Sequence, residues 1–309
     1  MYPVPQDMII RYMVKIFVTC LMLVLLLMPS AAEAVKLKHV ISVYLDGQGK
    51  GIKQPESVAC DEDTFIVADT GNGRLLKYTF QNGDLGTEIT EFKVQQLPYP
   101  IRIRMNSKNE IYALDGRSRR IVYLSSEGIF KGYIEPDIPS PASYVPRGFD
   151  IDEKDNIYIL DVLSERVLVL NPEGKYQKHI KFPKDYGFFS DISIDFKGNI
   201  LLIDSINAMV FFAAKDSESF SPLSKSLKEY MRFPTSLTTD MRGRIYLVDR
   251  NGGQIIILSH EGSFLGWLSS MGWKEGLLNY PSQLCINSNG EVFIADTNNS
   301  RIQIFVLLK

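Results

Sequence analysis

Residues 57 to 305 repeat one pattern of apolar and polar positions. A run of apolar residues ends on an aspartate six times: FIVAD at 65–69, IYALD at 111–115, IYILD at 157–161, LLID at 201–204, IYLVD at 245–249 and VFIAD at 292–296. The aspartates Asp69, Asp115, Asp161, Asp204, Asp249 and Asp296 lie 46, 46, 43, 45 and 47 residues apart, a regularity that marks an internal repeat. Each copy has the same inner order. A proline stands about fifteen residues before the aspartate (Pro55, Pro100, Pro146, Pro234, Pro281), with Phe189 in that place in the fourth copy. A short strand follows, then a turn with Gly or Asn, the strand ending in Asp, a polar turn, a third apolar strand and a weaker fourth. The connections are hairpin-short, so consecutive strands pair antiparallel.

The second and third strands are apolar nearly throughout instead of alternating, as in RVLVL at 166–170 and QIIIL at 254–258. Such strands are buried on both faces. One four-stranded sheet cannot bury both faces alone, but sheets stacked face to face in a ring can. The pattern predicts an all-β fold, a six-bladed β-propeller of four-stranded antiparallel blades. The sixth copy stops after its third strand. The stretch His39–Pro55 aligns with Ser263–Pro281, the fourth strand and connector of the fifth copy. Val40–Leu45 is therefore predicted to complete the sixth blade and close the ring.

The Asp-x-x-x-x-Arg turn, the apolar-x-apolar-Asp run before it and the upstream proline together resemble the NHL-repeat family, over about residues 39–309. The resemblance implies a six-bladed propeller. Its functional implication is broad: NHL propellers bind proteins, RNA or other ligands, and related propellers include lyases and lactone hydrolases. Fold alone does not choose among them.

The ends and the composition narrow the setting. Arg11 and Lys15 precede the apolar run Ile16–Met28, and Ala32 and Ala34 form an A-x-A pattern. Residues 1–34 read as a cleaved secretory signal, with an uncleaved membrane anchor as the alternative, leaving residues 35–309 as an exported propeller, periplasmic or extracellular. The apolar run is short of the roughly 20 residues that span a bilayer. With 45% hydrophobic and 23% charged residues and a net charge of -2, bulk charge points to neither nucleic acid nor an anionic membrane. A monomer is expected, with no membrane contact once the signal is removed. Beyond the signal the cysteines are Cys60 and Cys285, on adjoining blades in opposite strand phase, so they point either towards each other, as a disulfide, or apart; two buried free thiols are the favoured of the two readings.

The repeated aspartates read as structural turn residues, since a carboxylate before a tight turn accepts bonds from turn N–H groups. Arg74, Arg120, Arg166 and Arg301 stand five residues on and can pair across the hairpin. The fourth and fifth copies carry Met209 and Gln254 there and keep their aspartates, so an ion pair is not obligatory.

Candidate chemistry must lie on the first strands, which line the channel. There the second and fourth positions hold Arg102 and Arg104, Gly148 and Asp150, then Asp191 and Ser193. Three readings stand. One is a structural network, Arg104 with Asp150 and Arg102 towards Asp191. Another is an anion site at the channel mouth, with Arg102 and Arg147 offering planar donors to carboxylate or phosphate. The third is a Ca²⁺ site at Asp150 and Asp191, which the nearby arginines oppose. The histidines, His39, His179 and His260, fall on outer strands or a peripheral turn, so no catalytic triad, metal site or cofactor is expected. Of the connector aromatics, Tyr99, Phe188, Phe233 and Tyr280 are expected between blades, while Tyr144 and Trp273 are expected on the surface. The sequence thus points to a non-catalytic binding or scaffold propeller. Its expected partner is a protein or small anion, taken up through one loop face at Arg102, Arg104, Arg147, Asp150, Asp191, Tyr144 and Trp273. The alternative is a metal-dependent hydrolase or lyase in the channel.

Overall fold

A computed structural model describes residues 36–140 and 143–308; the expected signal segment, residues 1–34, lies outside the described residues. Six four-stranded antiparallel sheets follow one another. Blade 1 holds Ser57–Cys60, Thr64–Asp69, Arg74–Gln81 and Asp84–Phe92. Blade 2 holds Pro100–Met105, Ile111–Asp115, Ile121–Leu124 and Phe130–Tyr133. Blade 3 holds Pro146–Ile151, Ile157–Asp161, Arg166–Leu170 and Tyr176–Lys181. Blade 4 holds Phe189–Ile194, Ile200–Asp204, Met209–Ala213 and the two-residue Ser221–Pro222. Blade 5 holds Pro234–Thr239, Ile245–Asp249, Gln254–Leu258 and Phe264–Leu268. Blade 6 holds Gln283–Ile286, Glu291–Asp296 and Arg301–Leu308, and takes its outer strand, Lys36–Val43, from the other end of the chain. That strand starts four residues earlier than expected, and pairs Lys36 with Leu308 through to Val43 with Ile302.

The continuous apolar runs have a simple cause. In blade 1, Phe65 and Val67 point into the cluster shared with blade 6, while Ile66 and Ala68 point into the cluster shared with blade 2. Each of the other four interfaces has its own cluster. A middle strand thus serves two cores at once, and each large apolar side chain buried there contributes roughly 1.5–3 kcal/mol.

The aspartates do more than cap their turns. All six are fully buried. Each accepts an N–H from the connector sixteen or seventeen residues upstream: Lys53 to Asp69, Tyr99 to Asp115, Val145 to Asp161, Phe188 to Asp204, Phe233 to Asp249 and Asn279 to Asp296. Each latch pins the start of a blade's inner strand to the end of its second strand, which explains the constant spacing from proline to aspartate. Arg74, Arg166 and Arg301 add an Nε bond to their aspartates at 2.7, 2.9 and 2.7 Å. Arg120 does not; it pairs with Glu135 and lies over the Tyr133 ring. Gln254 replaces the arginine with a 3.2 Å amide bond to Asp249.

One reading is corrected. Cys60 and Cys285 are not free thiols: they form a disulfide between blades 1 and 6, with Cα atoms 6.1 Å apart. Their opposite strand phases bring them together because facing inner strands are offset by one residue, as the bond from Val58 N to Gln283 Oε1 shows directly above them.

Candidate functional site

The inner strands run from the Asp-turn face down the channel. In blades 2 to 5 the register slips by one residue at their start, so Ile101, Arg147, Ser190 and Thr235 sit on β-bulges. A bulge re-aims a side chain, and these residues ring the mouth.

Below the mouth, an inner polar side chain of blades 6, 1, 3 and 4 reaches the next blade's backbone. Gln283 accepts from Val58 N at 2.8 Å, Ser57 Oγ from Ile103 N at 3.0 Å, and Asp191 Oδ2 from Leu237 N at 3.3 Å and Ser236 Oγ at 2.6 Å. Asp150 Oδ2 accepts from Ile194 N at 2.8 Å. Blade 3 has Gly148 at the second position, where a Cβ would come within 3.1 Å of Asp191 Oδ1. Arg102 uses that oxygen instead: its Nη2 lies 3.2 Å from it, close enough for an ion pair although without hydrogen-bond geometry. The same nitrogen is 3.5 Å from Thr235 O on blade 5. Arg104 Nε pairs with Asp150 Oδ1 at 2.5 Å. Both expected pairings, Arg104 with Asp150 and Arg102 with Asp191, are therefore present. Burial pulls the Arg102 pKa down, opposed by Asp191. Burial acts the same way on Arg104, but Asp150 and Asp191 hold its pKa above the ordinary value. Beneath these pairs the channel widens to a cavity of about 430 Å³ lined by Arg104, Asp150, Ser193, Thr238, Gln283 and the disulfide.

Arg147 differs from both. Its Nε is buried with no hydrogen-bond partner among the described residues. Its guanidinium lies 5.6 Å over the Phe188 ring. Burial lowers its pKa, as does neighbouring Arg119, while Asp191 and Glu56 oppose. Those two acids are already engaged, Asp191 with Arg102 and Glu56 with Arg250 at 3.3 Å. Four arginines (102, 119, 147 and 250) thus share the mouth with two acids, leaving it net positive.

The rim differs from expectation. Tyr99, Phe233 and Tyr280 are 38, 38 and 42% exposed instead of packed between blades, and Phe188 is half-buried under Arg147. The latch explains this: the backbone N–H of Tyr99, Phe188 and Phe233 turns inward to the aspartate, which leaves the side chain facing out. Tyr144 moves the other way. It is half-buried, packs on the cluster between blades 2 and 3, and donates its hydroxyl to Ile134 O at 2.7 Å. Its pKa is pushed up to about 12 by burial and then by the Glu135 charge. Trp273 is 78% exposed, in the connector that folds against the blade 5 Asp turn at Gly253. Leu163 and Ile206, second residues of the blade 3 and blade 4 Asp turns, are also exposed. Their apolar character in a turn position held elsewhere by Gly, Arg or Asn was the available signal.

Among the described residues, no group of three or more His, Cys, Asp or Glu side chains is placed to hold a metal ion. His39 and His179 lie on outer strands and His260 in a turn on the opposite face.

Residues 278–305 match the NHL repeat. NHL repeat-containing protein 3 of Homo sapiens is 35% identical over 75 residues, 23% of this chain and 22% of that protein, so the match spans about a fifth of the curated relative. The fold is shared more widely. A streptogramin B lyase structure superposes with a TM-score of 0.61 at 14% identity, covering 91% of this chain and 100% of the other. A gluconolactonase from Xanthomonas campestris gives 0.66 at 11% identity, covering 90% and 91%. A nidogen/laminin complex gives 0.56 at 15% identity, covering 73% and 89%. By these names two of the neighbours are enzymes and one is a binding assembly, and at such identities they share the fold alone. The chain is a six-bladed β-propeller, and its residues 278–305 match the NHL repeat.

Proposed function

We propose that this chain is a non-catalytic binding propeller of the cell envelope or the extracellular space, which takes a protein or small anion on its Asp-turn face. The observation that carries this reading is Arg147. It is a mouth residue with a buried, unpartnered Nε, in a net-positive ring whose acids are engaged elsewhere. Around it stand exposed Tyr99, Phe233, Tyr280, Leu163, Ile206 and Trp273. Arginine and aromatic side chains are what protein interfaces concentrate at their energetic centres, and a clustered exposed apolar surface marks an interaction site. Arg102, Arg104, Asp150 and Asp191 then shape the channel beneath, held in mutual ion pairs.

The competing reading is a metal-dependent hydrolase or lyase in the channel, suggested by the names of two structural neighbours. A divalent cation needs several free oxygen ligands, and here Asp150 and Asp191 are each bound to an arginine and to the next blade's backbone. The test is cross-linking of purified protein in a native envelope extract, with wild type beside Arg147→Glu. Cross-links confined to the Asp-turn face and lost in the variant support the binding reading. Stoichiometric Ca²⁺ retained through dialysis, or cross-links indifferent to the variant, overturn it.

A further inference from the structure

Blade 4 breaks the repeat at its outer strand. The other five outer strands are 8, 9, 4, 6 and 5 residues long, but Ser221–Pro222 has two. The cause is local. The segment AKDSESFSP at 214–222 is mostly polar, and Pro222 has no N–H to continue a ladder. Pairing stops after Phe211 with Pro222 and Phe212 with Ser221. Phe212 and the following Leu223 stay half-exposed on the side towards blade 5. A cleft of about 330 Å³ opens there, on the face opposite the Asp turns, which is within the range of small-molecule sites.

The cleft is amphipathic. Its floor is apolar: Leu201, Phe212, Leu223 and Ile245. Its rim carries Lys197, Arg242 and His260. Asp195 also lines it, and its carboxylate is tied into its own turn by Lys197 N, Asn199 N and Asn199 Nδ2 at 2.9, 2.8 and 2.8 Å. The Lys197 ammonium sits 5.4 Å over the Phe196 ring and pairs with no carboxylate among the described residues. Arg242 is exposed, and its guanidinium makes no hydrogen bond or ion pair among them, since Asp240 is taken by Arg244 at 2.7 Å and by Tyr246 at 3.0 Å. His260 Nε2 lies 3.7 Å from Glu261 Oε1, and both side chains are exposed. Gly243 keeps the entrance open: its φ of +78° disfavours any side chain, and a Cβ there would lie 3.3 Å from His260 and 3.9 Å from Phe196.

We propose that this cleft binds an amphipathic carboxylate, a medium-chain acyl acid. The chain lies on Leu201, Phe212, Leu223 and Ile245, and the carboxylate is held at the rim by the planar donors of Arg242 with Lys197 beside it. Apolar burial and a charge-assisted fork then select the same ligand. The site is separate from the channel mouth and does not depend on the reading given to it.

The test is calorimetric titration of the full chain with decanoate below its micelle threshold, and with decanol as the neutral analogue. Expected are one saturable decanoate site per chain and decanol binding weaker by about tenfold or more, the loss of a hydrogen-bonded charge. Arg242→Glu is expected to weaken decanoate by at least about as much. It lies on an exposed turn, and its melting temperature is expected to match wild type. Lys131→Glu, an exposed residue of the blade 2 outer strand that belongs to neither site, should leave decanoate binding intact. Three results overturn the proposal: no saturable binding, equal affinity for acid and alcohol, or loss of binding in Lys131→Glu but not in Arg242→Glu.

Discussion

Asp115 and Asp296 hold the same place in their blades and meet different partners. Asp115 accepts two backbone N–H groups, from Tyr99 and Ser118. Asp296 accepts Asn279 N and is also bound by the side chains of Asn299, Arg301 and Gln303. Arg301 is itself buried. Asp115→Ala leaves N–H groups unpaired, which costs about 1–3 kcal/mol. Asp296→Ala also strands a buried guanidinium, and removing one partner of a buried pair costs about 3–5 kcal/mol. Denaturant unfolding should therefore rank the Asp296 variant well below the Asp115 variant. Equal losses would mean that the arginine contributes nothing. The turn role of these aspartates was legible from their position before polar turns. The latch to the upstream connector was not, because it joins residues sixteen or more apart through a bend that no local pattern describes; only the fixed proline-to-aspartate interval hinted at it.

At the scale of elements, the closing strand Lys36–Val43 carries a pH-sensitive group. His39 bonds Ser42 Oγ at 3.0 Å and meets the Phe305 ring edge-on at 5.4 Å. Burial lowers its pKa from 6.5, and Arg301 adds to that against Glu275. The unfolded chain thus binds this proton more readily than the folded one. The stability His39 confers is full above pH 6.5 and falls as pH drops below it towards the folded value. Thermal melts should show a fall in stability between pH 7.5 and pH 5 that is shallower in His39→Gln. An identical pH slope in the variant would place the titrating group elsewhere. The strand itself was legible, since Ser263–Pro281 supplies an internal template for His39–Pro55. The short outer strand of blade 4 was less so. Its polar composition resembles the other weak fourth strands, and only Pro222 separates it.

Taken as a whole, the ring is closed twice at one seam: by the ladder between Lys36–Val43 and Arg301–Leu308 on the outside, and by Cys60–Cys285 beside the channel. The disulfide encloses a sequence separation of 225 residues. Removing a native cross-link typically costs about 2–5 kcal/mol, chiefly through the unfolded state. The double variant Cys60→Ala, Cys285→Ala should melt lower than wild type, and reduced wild type should melt with it. Coincident melts of oxidised and reduced protein would show that the outer ladder alone closes the ring. The six-blade count was legible because it depends on periodicity alone. The disulfide was not, because strand phase says which way a side chain points but not how two facing blades are offset.

The seam has a mechanical consequence. A pull applied at Lys36 and Leu308 first unzips strands that belong to different ends of the chain, and the tension then meets the covalent link between residues 60 and 285. Slack is paid out only from the segments outside that link. The intervening blades carry no load while the sulfur–sulfur bond holds, and both the four arginines of the mouth (102, 119, 147 and 250) and the amphipathic cleft on the other face lie within that shielded span, whereas Glu56 lies outside it.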